Sequence, residues 1–260
     1  MPETLNLTKD GPVATVSLAR SDSRNALNAT LISDLTKCFG ELTEDESVRV
    51  VVLKGEGPIF CAGADIGYMR ETARFSYEEN LKDARRLASM FLAVDECPKP
   101  VVVRVRGAAI GGGAGLVAAS DVVVAAEGTR FAFTEVRLGI APATIAPFVV
   151  CKIGASRARS LFLTGERFGA ELARDMGLVH EVAPEDGLDA AVESKVSELL
   201  AGGPEAQAAV KALLREIEAV EIAETPGLMS RMNAMLRVGE GGQEGLGAFL
   251  EKREPRWRDV

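Results

Sequence analysis

Two short stretches of this sequence are built for chemistry on backbone rather than side-chain atoms. Residues 110–116 read IGGGAGL and residues 60–66 read FCAGADI. Each follows a β-branched run, VVVRVRG in one case and VRVVVLKG in the other, and each leads toward a helix. Small residues at such a turn let a ligand touch the backbone, and N–H groups at a helix start face negative charge as it develops on an oxygen. The glycine loop alone admits other readings. Gly111 and Gly115 have the G-x-x-x-G spacing of packed membrane helices, but the uncharged window between Arg106 and Asp121 is shorter than the ~20 residues a span needs. Residues 113–118 fit the G-x-G-x-x-A of a dinucleotide loop, with Glu127 as its acid, yet the link from Ala114 to Ser120 is shorter than the roughly dozen residues of a crossover. Close packing of helix on strand would also call for glycine. A second loop of the same make favours the oxyanion reading, because each loop can offer one backbone donor to one oxygen.

Other chemistries find little material. His180 is the only histidine, so zinc sites built on several histidines are excluded, and its setting in GLVHEV, after a helix stop at Gly177, suggests a structural role. Cys38, Cys61, Cys97 and Cys151 lack C-x-x-C spacing, which fits reduced thiols in a cytoplasm and no metal centre. The net charge of −8 and the pI near 5.0, without a basic stripe, argue against nucleic acid. The N-terminal residues lack a basic segment followed by an apolar core, so no signal peptide and no membrane association are expected.

The elements that position the two loops follow from periodicity. TLNL and VATVSL flank the Lys9-Asp10-Gly11-Pro12 turn as a hairpin. Leu31, Leu35, Cys38 and Leu42 mark one face of a helix from about Ala29 to Leu42. A longer helix runs through NLKDARRLASMFLAVDE and stops before Pro98 and Pro100; the glycine loop then opens a short helix ending near Ser120, before the strand DVVVAA. Strand, loop, helix and strand again is the order of right-handed crossovers, hence an α/β fold. Beyond Pro142 helices dominate, and Gly202-Gly203-Pro204 separates a core of residues 1–203 from a helical segment of residues 204–260.

RNALN, FCAGADI, GAAIGGGAGL, FTEVRLGIAP, GLVHEV and FLEKREPRW occur in the order seen in the enoyl-CoA hydratase/isomerase (crotonase) superfamily, and the chain resembles it over nearly its whole length. The resemblance implies a spiral of β-β-α units and a C-terminal helical segment that makes homotrimers or dimers of trimers. It implies an acyl-CoA thioester as substrate and no separate cofactor, coenzyme A being part of that substrate. The thioester oxygen would be held by the N–H groups of Ala62 and Gly112. Arg24 and the backbone at Ala26, with Ala64, Asp65 and Ile66, would line the nucleotide and pantetheine sides. Lys252 would reach the coenzyme from the C-terminal helix, in some relatives across a subunit boundary, with Phe249 packed nearby.

The sequence departs from the two-glutamate pattern of typical hydratases. The first glutamate position is Gly115, and the second matches Glu135, which leaves Glu135 as the acid/base candidate unless it pairs with Arg130 or Arg137. A single glutamate is compatible with hydration by syn addition, with movement of a double bond, or with a silent CoA-binding scaffold. TEVRLGIAPATIAPFVVCKIG is similar to a bacterial subgroup of methylglutaconyl-CoA hydratases, which implies a short branched substrate, 3-methylglutaconyl-CoA. Its distal carboxylate would need cationic or hydrogen-bonding partners, for which Tyr68, Arg70 and Arg74 are candidates.

Overall fold

A computed structural model describes residues 4–218, 222 and 225–258. The hairpin is β1 (Leu5–Asp10) and β2 (Val13–Leu18), turned at Gly11 with φ of +50°. Helix α1 (Ala29–Glu44) follows, capped by the Asn28 side chain accepting from the Leu31 N–H; Leu31, Leu35, Cys38 and Leu42 are all buried on its inner face. Strand β3 (Val50–Gly55) leads through the first loop to α2 (Ile66–Thr72) and α3 (Tyr77–Asp95). Strands β4 (Val101–Val105) and β5 (Ala108–Ile110) precede α4 (Gly112–Ala118), the short helix opened by the glycine loop. Strands β6 (Val122–Ala126) and β7 (Arg130–Ala132) come next.

Helix α5 (Ala146–Thr164) is kinked at Gly154, where φ is +76°. Strand β8 (Arg167–Gly169), α6 (Ala170–Met176), β9 (Glu181–Ala183) and α7 (Leu188–Leu200) close the core. Among the described residues α8 (Pro204–Glu218), α9 (Pro226–Val238) and α10 (Glu240–Glu251) follow. Among the described residues no helix is long and apolar enough to cross a membrane.

The main sheet runs β1-β2-β3-β4-β6-β9, antiparallel only at the hairpin; a second sheet runs β5-β7-β8. Strands buried on both faces need apolar residues at successive positions, which explains the valine runs. Val51, Leu53, Val103 and Val123 face α1, α3 and α4, while Val50, Val52, Val102 and Val124 face α7. The ends of β3, β4 and β5 thereby bring both loops to one region. His180 belongs to this framework: its Nδ1 accepts from the Val123 N–H at 2.9 Å, and its own N–H donates to the Val123 carbonyl.

Candidate active site

Backbone pairing decides which N–H groups remain available. The first loop runs between residues 24–27 and β5. Cys61 pairs with Ala109, and the Ala62 N–H donates to the Arg24 carbonyl at 3.0 Å. Leu27 then donates to the Gly63 carbonyl at 2.7 Å and accepts from the Asp65 N–H at 2.9 Å. In a trans peptide the C=O and the next N–H point in opposite directions. The Gly63 carbonyl faces Leu27, so the Ala64 N–H faces away from it. Gly63 makes this turn of the backbone with φ of +96°.

The glycine loop repeats the device. The Gly111 carbonyl accepts from the Gly115 N–H within α4, so the Gly112 N–H points out of the helix start. Among the described residues neither the Ala64 N–H nor the Gly112 N–H has a protein acceptor. The loops are in contact: a Cβ on Gly63 would lie 3.1 Å from the Ile110 carbonyl oxygen, and one on Gly112 would overlap the Leu27 side chain at 2.6 Å.

Glu135 completes the cluster. The Gly111 N–H donates to the Ala132 carbonyl, where β5 and β7 end together, and Glu135 opens a short 3-10 helix three residues later. Its Oε1 lies 3.2 Å from where a Cβ on Gly111 would be, and its Oε2 is buried with no hydrogen-bond partner. Among the described residues Glu135 makes no ion pair, with Arg130, Arg137 or any other cation. Burial pushes its carboxyl above the usual carboxylate range, against a smaller opposing effect of a backbone hydrogen bond. Phe131 and Phe133 pack in the core against Phe168 and Phe162.

Two unpaired N–H groups on adjoining loops thus lie beside a buried carboxyl group. The profile of the enoyl-CoA hydratase/isomerase family matches residues 8–260. The chain belongs to this family. A crystal structure of an enoyl-CoA hydratase from Shewanella pealeana superposes with a TM-score of 0.95 at 39% identity, covering 98% of this chain and 96% of the other. AtuE of Pseudomonas aeruginosa superposes with a TM-score of 0.95 at 38% identity, over 98% of this chain and all of its own (100%). The enoyl-CoA isomerase/hydratase fer4 of Mycosarcoma maydis is 33% identical over 251 residues, 92% of this chain and 89% of its own. The α/β fold expected from the resemblance is that of these enoyl-CoA hydratase structures.

Within this hydratase/isomerase scaffold, several expected residues take other places. Ala62 is corrected: its N–H is spent on Arg24, and Ala64, two residues on, carries the free donor. Asp65 does not offer a free carboxylate, because Oδ1 caps α2 by accepting from Gly67 and Tyr68, and Oδ2 binds Arg20 at 3.0 Å. The Tyr68 hydroxyl, expected to meet a substrate carboxylate, donates to Asp83 instead; Arg70 and Arg74 stay exposed. Arg24, in a left-handed conformation with φ of +53°, Ala26 and Ile66, 70% exposed, flank the Leu27–Ala64 bridge. Phe249 lies on α10, which packs on α8 and α9, and Lys252 caps its C-terminal end; neither makes a hydrogen bond or ion pair with Arg24, Ala26 or Asp65 among the described residues. At Gly115 a Cβ would run into Ile145 and come within 2.9 Å of Phe91, so apolar side chains fill the place of the missing glutamate.

Proposed function

We propose that the protein is a hydratase/dehydratase for a short branched acyl-CoA, interconverting 3-methylglutaconyl-CoA and 3-hydroxy-3-methylglutaryl-CoA. Membership of the enoyl-CoA hydratase/isomerase family makes it an enzyme of enoyl-CoA hydratase type. The observation that carries the mechanism is the desolvated Glu135 carboxyl beside the two unpaired N–H groups of Ala64 and Gly112. In hydration the Glu135 carboxylate takes a proton from water as the water oxygen bonds the β carbon. The electron pair moves to the thioester oxygen, where the two N–H groups hold the enolate without reorganising. The carboxyl then returns its proton to the α carbon from the same face, and H and OH have added across the double bond. Dehydration is the reverse.

The single carboxyl also suits a second reading, proton transfer from one carbon of the acyl chain to another in a double-bond isomerase, and fer4 is named for both activities. Incubation with a panel of enoyl- and 3-hydroxyacyl-CoAs, with products identified by mass, separates the two. A gain or loss of water marks the hydratase, an isobaric product the isomerase, and no turnover at all a silent CoA-binding scaffold. In this reading coenzyme A enters as part of the substrate and no other cofactor takes part. In the same reading the protein works in the cytoplasm and forms a homotrimer or dimer of trimers; the exposed Met235, Val238, Phe249 and Leu250 on α9 and α10 support the assembly.

A further inference from the structure

We propose that Arg20 is a positioning residue that sets the geometry of the two-donor site without touching the substrate. Leu27 is the spacer between the donors: its backbone holds Gly63 and Asp65 on either side of Ala64, and its side chain fills the space against Gly112. Arg20 fixes both sides of that spacer. One guanidinium nitrogen donates to the carbonyl of Ala26, the residue before Leu27, and the other to Oδ2 of Asp65, the residue after Ala64, at 3.0 Å. The Arg20 and Asp65 side chains are 18% and 20% exposed, so water competes weakly for this fork. Asp65 stays charged to serve it, since the Arg20 guanidinium and the N–H groups of Tyr68 and Gly67 hold its carboxyl below the usual range.

The base of Arg20 is itself held. Its N–H donates to Oδ1 of Asn25, which is fully buried and whose Nδ2 donates to the carbonyls of Glu56 and Ile59 at 2.9 and 2.8 Å. Arg20 therefore links the end of β2 and the base of the first loop to the residues flanking Ala64. A planar fork spans two acceptors that a lysine ammonium on a flexible stem does not hold in one geometry. Loss of the fork loosens the Ala64 donor relative to Gly112, and a donor misplaced by about an ångström costs rate far more than binding.

This inference rests on the oxyanion reading of Ala64 and Gly112, and its test keeps the two apart. Arg20→Met and Arg20→Lys are compared with the wild type for kcat and KM, and for the absorption shift of bound 4-(dimethylamino)cinnamoyl-CoA, whose band moves to the red when its thioester carbonyl is polarised. The expected result is a red shift in the wild type that is largely lost in Arg20→Met and partly kept in Arg20→Lys. With it, kcat falls at least about tenfold in Arg20→Met while KM stays within about twofold. If Arg20→Met does not fold by circular dichroism, Asp65→Asn, which keeps the shape of the cap, carries the same measurements. A full red shift and wild-type kcat in the variant overturn the role of Arg20 alone, as does a fall in kcat with the red shift intact. No red shift in the wild type overturns the oxyanion reading, and this inference with it.

Discussion

Glu135 rests on the bare backbone of Gly111: a Cβ at Gly111 would stand 3.2 Å from Oε1 of the carboxyl group. Gly111 also holds φ of 51° and ψ of −120°, a region closed to other residues. Gly111→Ala should therefore cost about 1–3 kcal/mol in stability and displace the carboxyl group. Chemical denaturation and steady-state kinetics check this; wild-type kcat in the alanine variant would show that the carboxyl position is not critical.

Replacing the acid/base group should separate chemistry from binding. Glu135→Gln is expected to lower kcat by at least about 100-fold, the low end for general acid/base catalysis, with acyl-CoA affinity by calorimetry nearly unchanged. The same variant has a pH signature. The folded-state pKa is raised by burial, so stability linked to Glu135 is full below its unfolded value and is lost as pH rises through the folded value. Glutamine cannot ionise, so the variant should melt higher than the wild type near pH 8 and match it near pH 4, as thermal scans at the two pH values would show.

A second carboxylate should not be restorable at Gly115. The space is taken by Ile145 and Phe91, and Gly115→Glu forces a side chain into a filled core. Overpacking of this kind costs about 1–3 kcal/mol, and burying an unpaired carboxylate adds to it. The expected outcome is a lower melting temperature and no gain in hydration of crotonyl-CoA; a clear gain would identify the site as a generic hydratase that lost a group.

The C-terminal helices are fastened to the core through Arg49. Its guanidinium, almost fully buried, donates to the carbonyls of Trp257 and Gly202, the latter at 2.6 Å. Arg49→Ala should destabilise by about 1.5–3 kcal/mol, the range for hydrogen bonds from a charged group, without changing KM. Deleting residues after Gly203 should have a larger effect, since it also strips Lys211 from Asp121, paired at 2.6 Å. That truncation is expected to be insoluble or inactive; a soluble, active trimer would contradict a role for the helices in assembly.

The distal carboxylate of the proposed substrate sets the last test. With the Tyr68 hydroxyl committed to Asp83, Arg70 and Arg74 are the cations left on this stretch. Neutralising the one that reads the carboxylate, by Arg70→Gln or Arg74→Gln, should raise KM for the dicarboxylic substrate at least tenfold, about 1.4 kcal/mol, and leave a neutral enoyl-CoA of equal length unaffected. Equal effects on both substrates, or none for either arginine, would reject this reading.

Periodicity made the helices and strands legible wherever one face is apolar, as at Leu31, Leu35, Cys38 and Leu42. The two loops were legible by composition. Which alanine carries the free donor was not, because the direction of each N–H depends on the register of residues 62–65 against residues 24–27, a pairing between distant segments. The same holds for Arg20 and Asp65, 45 residues apart, and for Tyr68 and Asp83. Gly115 reads in sequence as a lost glutamate; its other meaning, room for Ile145 and Phe91, exists only in the packed core.

The strand order has a consequence for how the molecule is made. Strands β2, β3, β4, β6 and β9 lie side by side in the order in which the ribosome produces them. Each new strand finds its neighbour already synthesised and adds to a growing edge. The hairpin covers the starting edge from the outset, and the final strand, only three residues long, offers little edge on which a neighbouring chain could continue the sheet.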